Sequence, residues 1–234
     1  AGHSSGWTPR GRFITKVMAG AAISLTGLAV VFSGSLGVDP SPAFAAEVSA
    51  NENVAPSYVK FDVQVSDNQE GSFVVEVHPD WAPIGAERFV SLTSSGFFEQ
   101  CRFFRVLDGF VAQFGINGDP KVQSKYRGAM MKDDPVTQSN KRGTVVFATS
   151  GKDSRTTQMF INYANNTFLD KTGFSPIGRV TAENNIWYGE GAPSGKGPNQ
   201  GKIQTQGNAY LQASFPALSY IKSAKRIPRP ADDF

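Results

Sequence analysis

The sequence is poor in the residues that build covalent or metal-linked frameworks. Cys101 is the single cysteine, so an internal disulfide framework is excluded. His3 and His78 are the two histidines, too few for a histidine-rich metal site, and no cofactor is expected. The formal net charge of +3 is small, and the lysines and arginines form no basic stripe of the kind that nucleic-acid binding needs. The fold must therefore rest on an apolar core, and 234 residues suffice for one good-sized domain plus an extension.

The amino-terminal part of the chain has the order of an export signal. Arg10, Arg12 and Lys16 precede the uncharged segment Val17–Val38, and Ala43-Phe44-Ala45 supplies an Ala-x-Ala sequence after it. Secretory signal peptides have this order of basic, apolar and then small residues. The uncharged segment is also long enough to cross a bilayer as a hydrophobic helix, although Gly, Ser and Thr dilute it. Two interpretations stay open, a cleaved targeting segment and a retained membrane anchor.

This pattern predicts the organisation of the chain and its location. Residues 1–46 are the targeting segment or anchor, residues 47–57 a polar linker, and residues 58–234 the folded domain. Either interpretation carries the domain across a membrane, so we expect it to work in an extracytoplasmic compartment. A plastid-like route in two steps, ending in the thylakoid lumen, fits the pattern. If residues 17–38 are retained, the domain is membrane-anchored.

One arginine stands inside the nearly apolar run Phe103–Gly115. Asp108-Gly109 is a typical hairpin turn, so the run predicts two short strands that place Arg105 and Gln113 side by side. Burying a guanidinium among aromatic residues is costly unless its five donors are used. Two interpretations follow: a core hairpin whose arginine reaches the surface, or an arginine aimed at a ligand.

Alternating apolar residues predict two strands before this hairpin. Val59–Val65 and Phe73–Val77 carry apolar side chains at every second position, and the polar turn Asp67–Gly71 separates them. Pro83 then opens a helix that Gly96 ends, and further short strands with turn residues between them follow. The pattern by itself predicts a mostly β fold, either a barrel or a sandwich.

The hairpin sequence is one of four blocks that follow one another in a known order. Phe103–Gln113 contains Phe-Phe-Arg-Val, then Gly-Phe, then Gln, with Phe104 where a histidine is usual. Residues 74–92, 143–161 and 168–180 supply the strand and helix before it and the two strand blocks after it. In this order the blocks resemble the cyclophilin-type peptidyl-prolyl cis-trans isomerases. The resemblance implies an enzyme of that class.

The same resemblance implies a fold for the domain. Cyclophilins are mostly β, with a closed eight-stranded antiparallel barrel capped by two helices, and here a hydrophobic amino-terminal helix would precede it. Beyond Val180 the sequence diverges from the family. We expect an extended loop at 184–207, a short helix over Asn208–Phe215 and a closing strand at Leu218–Ile221.

The resemblance also implies a site. Arg105 takes the catalytic role, in which its guanidinium bonds the prolyl carbonyl, and Gln113 supports Arg105 and contacts the substrate backbone. Proline-containing peptides or proteins are the implied partners. The remaining positions that match substrate-binding residues of the family are Phe110, Val111, Ala148, Thr149, Gln158, Phe160, Phe168 and Leu169.

Two departures from the family bear on ligands. Phe168 stands where many cyclophilins carry a tryptophan whose indole N–H bonds cyclosporin, so we expect weak cyclosporin binding with isomerase activity retained. Gly173-Phe174 replaces a histidine that is usual at the rim of the groove. Substrate contacts at that rim are therefore expected to differ.

Two functions are compatible with the sequence. The first is an active peptidyl-prolyl isomerase that assists protein folding in an extracytoplasmic compartment. The second is a membrane-tethered, cyclophilin-like structural subunit of a larger membrane complex, in which activity is incidental. The uncharged segment 17–38 and the long loop at 184–207 favour the second, whereas the intact pair of Arg105 and Gln113 favours the first.

Overall fold

The computed structural model describes residues 55–182 and 195–231. The predicted hydrophobic helix, most of the linker and the first part of the predicted loop lie outside these residues. Within the described ranges, no helix has the length and apolar character needed to cross a membrane.

The elements, in chain order, are β1 (Ser57–Ser66), β2 (Gln69–Val77), α1 (Pro83–Ser94), β3 (Arg105–Val106), β4 (Val111–Phe114), α2 (Pro120–Arg127), β5 (Thr144–Phe147), β6 (Met159–Asn162), a 3-10 helix (Thr167–Thr172), β7 (Pro176–Ala182), α3 (Gln200–Ser214) and β8 (Tyr220–Ile227).

The strands form one antiparallel sheet in the order β3-β4-β6-β5-β7-β2-β1-β8. Its two ends meet just before β3. There Arg102 forms an isolated bridge with Tyr220 of β8, and the Phe103 N–H donates to the Ser219 carbonyl at 3.0 Å. These bonds join the segment that leads into β3 to the start of β8, so the two ends of the sheet order lie side by side. The prediction of a mostly β, eight-stranded antiparallel barrel is confirmed.

The barrel encloses an apolar core, which we call the inner core. Alternate side chains of β1 point into it, and Val59, Phe61 and Val63 are at most 1% exposed. The Phe61 ring stacks on Phe73 with centroids 4.7 Å apart and meets the edge of Phe98 at 5.6 Å. Such offset and edge contacts between aromatic rings add to the free energy gained from burying their area.

The β1–β2 hairpin has a tighter turn than predicted. Only Asp67 and Asn68 lie between the strands, and Gly71, assigned to the turn, pairs with Val63 inside the sheet. Glycine and polar residues read as turn signals, but the pairing of the flanking apolar residues fixes the register. The sheet therefore extends further toward this turn than the sequence pattern indicates.

Two helices begin with proline, which loses no hydrogen bond at a helix start. α1 begins at Pro83, as predicted, and the Asp134 carboxylate accepts hydrogen bonds from its first N–H groups at 2.8 and 2.9 Å. α2 is a helix that the sequence reasoning missed. Asp119 caps it by accepting from the Lys121 N–H at 2.8 Å. The pair Asp119-Pro120 is the signal that could have located it.

α3 begins earlier than predicted. It starts at Gln200, so residues 200–206 of the predicted extended loop are helical, and Asn199 caps them. The helix is kinked at Gly207, where φ is +60°, and its second half starts where the sequence predicted a helix. A Cβ on Gly207 would lie 2.1 Å from the Gly118 carbonyl oxygen, so only glycine fits this contact.

Candidate active site

A second apolar cluster lies on the opposite face of the sheet from the inner core. Along β4, Ala112 and Phe114 join the inner core, whereas Val111 and Gln113 face the other way. We call this second group the outer cluster. Its buried members are Val111, Val146, Phe160 and Leu169, and half-buried Phe110, Ala148 and Phe174 pack against them.

Arg105 and Gln113 border the outer cluster. They are direct partners in the β3–β4 hairpin, which turns at Asp108-Gly109 as predicted. The Arg105 Nη1 lies 3.5 Å from the Gln113 Oε1, and the guanidinium carbon lies 5.6 Å from the centroid of the Phe110 ring. A guanidinium at this distance is attracted by the face of the ring. The pair therefore places a cation at the edge of an apolar surface.

Gln158 fixes the orientation of Gln113. The Gln113 Nε2 donates to the Gln158 Oε1 at 2.9 Å, which leaves the Gln113 Oε1 turned toward Arg105. Gln113 is 8% exposed, so its amide needs these partners. The three side chains form a polar row along one side of the outer cluster.

Aromatic rings form the other side of the outer cluster. Phe168 is 59% exposed and stacks on Phe110, with ring centroids 6.1 Å apart. Phe174 meets the edge of Phe160 at 5.6 Å. The rim position at which the family usually carries a histidine is thus occupied by an aromatic ring packed into the cluster. An apolar group that enters here meets aromatic faces on one side and amides on the other.

A polar cleft of about 470 Å³ adjoins Gln113 and Gln158. Ala148 and Thr149 line it, as do Gln200 and Gln204 of α3. The Thr149 hydroxyl accepts from the Gly151 N–H at 3.1 Å and lies 2.8 Å from the Ser154 Oγ, so its hydrogen-bond partners belong to the loop that follows it. The cleft extends the site beyond the outer cluster.

The structure brings the predicted site residues together on one face. Phe110, Val111, Phe160 and Leu169 belong to the outer cluster, and Phe168 lies at its exposed rim. Their roles remain predictions that rest on the resemblance. The sequence reasoning missed Val146, which is completely buried at the base of the cluster. Its signal is the uninterrupted apolar run Val145–Ala148, typical of a strand buried on both faces.

Neither a metal cluster nor a reactive thiol stands out in the described residues. Among residues 55–182 and 195–231, no group of three or more His, Cys, Asp and Glu side chains is arranged to hold a metal ion. Cys101 is completely buried in the inner core, and burial raises the pKa of its thiol. A thiol held protonated in this way is inert. The polar side chains that border the outer cluster are those of Arg105, Gln113 and Gln158.

Comparison with known proteins identifies the family. A family model described as cyclophilin type peptidyl-prolyl cis-trans isomerase matches residues 60–188, more than half of the chain. The chain belongs to this family. The family that the four sequence blocks indicated is therefore confirmed, and so is the enzyme class.

Curated bacterial relatives support the assignment. The chain is 32% identical to peptidyl-prolyl cis-trans isomerase A of Dickeya dadantii over 145 residues, which cover 60% of this chain and 70% of that protein. It is 34% identical to a peptidyl-prolyl cis-trans isomerase of Acinetobacter baylyi over 116 residues, 47% of this chain and 61% of that protein.

A solved structure agrees in fold. The cyclophilin type peptidyl-prolyl cis-trans isomerase of Cryptosporidium parvum superposes with a TM-score of 0.51 at 19% identity, covering 75% of this chain and 99% of that one. At this identity the likeness concerns the cyclophilin fold alone. It matches the barrel described above.

Proposed function

We propose that this cyclophilin accelerates rotation about X–Pro bonds in peptides and proteins, and that it assists protein folding in an extracytoplasmic compartment such as the thylakoid lumen. The observation that carries the catalytic part is the position of Arg105. Its guanidinium borders the apolar outer cluster beside the polar row of Gln113 and Gln158. This is a charged donor next to a surface suited to a proline ring.

The reaction requires little covalent chemistry. Amide resonance gives X–Pro rotation a barrier of ~18–20 kcal/mol, and no nucleophile, acid or base is needed to cross it. An enzyme need only bind the twisted form of the bond better than either planar isomer. Lowering the barrier by ~7 kcal/mol accelerates rotation about 10⁵-fold.

The site's groups suit these requirements. The outer cluster receives the proline ring and excludes water from its apolar face. Arg105 donates to the prolyl carbonyl and favours a pyramidal imide nitrogen, in which resonance is broken. Gln113, oriented by Gln158, keeps the guanidinium in place and contacts the substrate backbone. Ala148 and Thr149 then meet the substrate backbone on the side of the polar cleft.

The location is supported by the sequence before the domain. Basic residues, an uncharged segment over 17–38 and an Ala-x-Ala sequence are the order of an export signal. The same segment supports the second candidate, a membrane-tethered structural subunit of a larger complex, because its length suffices to span a bilayer. Both candidates place the domain beyond a membrane.

Activity is tested on the full chain with a protease-coupled proline-peptide assay. Arg105→Ala should lower kcat/KM by about 10²- to 10³-fold, because it removes the charged donor that acts on the twisted bond. Arg226→Ala, which changes an exposed arginine on β8, is the matched control and should leave kcat/KM unchanged. Equal rates for the wild type and Arg105→Ala would refute the catalytic proposal.

The location is tested by amino-terminal sequencing of the native protein. A start at or after Ala46 would remove the anchor and contradict the tethered subunit. A protein that retains residues 17–38 and sediments with membranes would support it. Fractionation with the cytosol or stroma would contradict both proposed locations.

A further inference from the structure

Three buried asparagines form a chain of side-chain amides behind the outer cluster. Asn140 and Asn162 are 0% exposed and Asn166 is 4% exposed, so a bound substrate would not reach them. The Asn166 Nδ2 donates to the Asn162 Oδ1 at 2.7 Å, and the Asn162 Nδ2 donates to the Asn140 Oδ1 at 3.1 Å. We call this set the asparagine chain. It links the loop before β5, the end of β6 and the turn before the 3-10 helix.

Both ends of the asparagine chain bond residues of the outer cluster. At one end the Asn166 Nδ2 also donates to the Phe110 carbonyl at 2.9 Å. At the other end the Asn140 Nδ2 donates to the Phe174 carbonyl at 2.8 Å and to the Asp170 Oδ1 at 2.7 Å. The chain thus ties together two aromatic residues that are far apart in sequence.

Leu169 is attached to the same framework. Its N–H donates to the Asn166 carbonyl at 2.9 Å, and its neighbour Asp170 is the carboxylate that ends the chain. Burial alone would raise the pKa of Asp170, but hydrogen bonds from Ser139 and Asn140 outweigh it and lower the pKa. The carboxylate therefore stays ionised at neutral pH and accepts hydrogen bonds, which fixes the direction of the amides.

The asparagine chain satisfies two backbone carbonyls, those of Phe110 and Phe174, and this stabilises the fold. A fully satisfied polar network also selects one arrangement of the residues it joins. Here the residues so fixed are Phe110, Leu169 and Phe174, all of which contact the outer cluster.

We propose that the asparagine chain of Asn140, Asn162 and Asn166 sets the width of the outer cluster as a socket for the proline ring, and so determines which ring size the enzyme accepts. The three asparagines are positioning residues and touch no substrate. The inference rests on the proposed function, since it concerns the selectivity of that same site.

The test compares two substrates in each protein variant. Peptides with proline or with its six-membered homologue, pipecolic acid, are assayed by exchange NMR, which needs no coupling protease. A pocket discriminates one methylene by about 10- to 200-fold. The ratio of the two kcat/KM values does not depend on the folded fraction, because both peptides meet the same enzyme stock. A loss of stability alone therefore leaves the ratio unchanged.

Asn166→Ala and Asn140→Ala are expected to lower the proline-to-pipecolate ratio at least about fivefold, mainly through a rise in KM for proline peptides. The matched control is Asn117→Ala. Asn117 is also a buried asparagine, and its side chain bonds the Phe97 carbonyl and the Asp119 N–H, both outside the outer cluster. The control should keep the wild-type ratio.

An unchanged ratio in both variants, or an equal change in Asn117→Ala, overturns the inference. If the alanine variants do not fold, Asp170→Asn decides, because half-buried Asp170 can change without leaving a cavity. It should lower the ratio by a smaller amount, and an unchanged ratio overturns the inference. A wild-type protein without isomerase activity would instead refute the proposed function, whereas an active wild type with unchanged variants refutes only this inference.

Discussion

The inner core around Phe61 and the outer cluster around Phe160 lie on opposite faces of one sheet and differ in what surrounds them. Phe61 is 0% exposed and its ring touches other phenylalanines on several sides. Phe160 is 5% exposed, and its cluster is bordered by half-buried rings on one side and by Gln113 and Arg105 on the other. A closed apolar cluster stabilises the fold, whereas one that is open and edged by donors suits the binding role proposed above.

The largest expected effect is a difference in how much the inner core and the outer cluster contribute to the stability of the protein. Phe61→Ala should lower the free energy of unfolding by about 3–5 kcal/mol, because it leaves a cavity in the inner core. Urea denaturation followed by circular dichroism measures it. Phe168→Ala is the matched control on the outer side. Phe168 is 59% exposed, so its loss should change the stability by no more than about 0.5 kcal/mol. Equal losses in the two variants would contradict the distinction.

The next effect concerns the polar edge of the outer cluster. Gln158→Leu removes the acceptor of the Gln113 amide, so Gln113 loses its fixed orientation beside Arg105. We expect kcat/KM to fall about 5- to 10-fold, the equivalent of one hydrogen bond of about 1 kcal/mol. The control is Gln64→Leu on β1, whose side chain bonds only backbone near its own turn. Wild-type kcat/KM in Gln158→Leu would contradict the role of the polar row.

A smaller effect tests the exposed rim. Phe168→Trp adds an indole N–H at the position where many cyclophilins carry a cyclosporin donor, and should tighten cyclosporin binding about fivefold, or about 1 kcal/mol. Fluorescence titration measures the Kd. Phe168→Leu adds no donor and removes the ring that stacks on Phe110, so it should weaken binding further. If the wild type already binds as tightly as Phe168→Trp, the prediction of weak cyclosporin binding is wrong.

The smallest effect concerns a different part of the sheet, where Glu76 is 8% exposed between β1 and β7. Burial alone would raise its pKa, but hydrogen bonds from Arg179 and Tyr58, with the His78 ring close by, outweigh burial and lower the pKa below its ordinary value of 4.5. A carboxylate of this kind stabilises the fold above its unfolded pKa, and the contribution is lost as the pH falls through the folded pKa.

Glu76→Gln should therefore lower stability at neutral pH and flatten the loss of stability below pH 4.5. Thermal melts over a series of acidic buffers measure the difference. Glu87→Gln, at an exposed position on α1, is the control and should follow the wild-type curve. Parallel curves for Glu76→Gln and the wild type would contradict this account, and isomerase activity should be unaffected in both variants.

The sequence predicted the centre of the site because local rules govern it. The hairpin turn at Asp108-Gly109 places Arg105 beside Gln113, and the family resemblance then assigns the aromatic residues around them. The exposed position of Phe168 could not be predicted, because a resemblance gives a residue's place in the chain and not the packing of its side chain.

The features that escaped prediction depend on contacts between distant segments. Asn140, Asn162 and Asn166 carry no motif, and only the register of β5 and β6 and the path of the following turn bring them together. The predicted helix covers only the second half of α3, because the glycine and glutamines of its first half are typical of loops. Its first half is fixed instead by burial of Ile203 and by the close approach of Gly207 to Gly118.

The pairing of β1 with β8 has a consequence for how the chain acquires its structure. Tyr58 of β1 pairs with Ile227 of β8, so two strands that are far apart in the sequence are neighbours in the sheet. On the ribosome, β1 has β2 as its neighbour early but gains its second neighbour only when β8 has emerged. Contacts this far apart in sequence slow folding, because loop closure precedes their formation. The barrel therefore closes only after β8 has been made, and until then one edge of β1 is left without its strand partner.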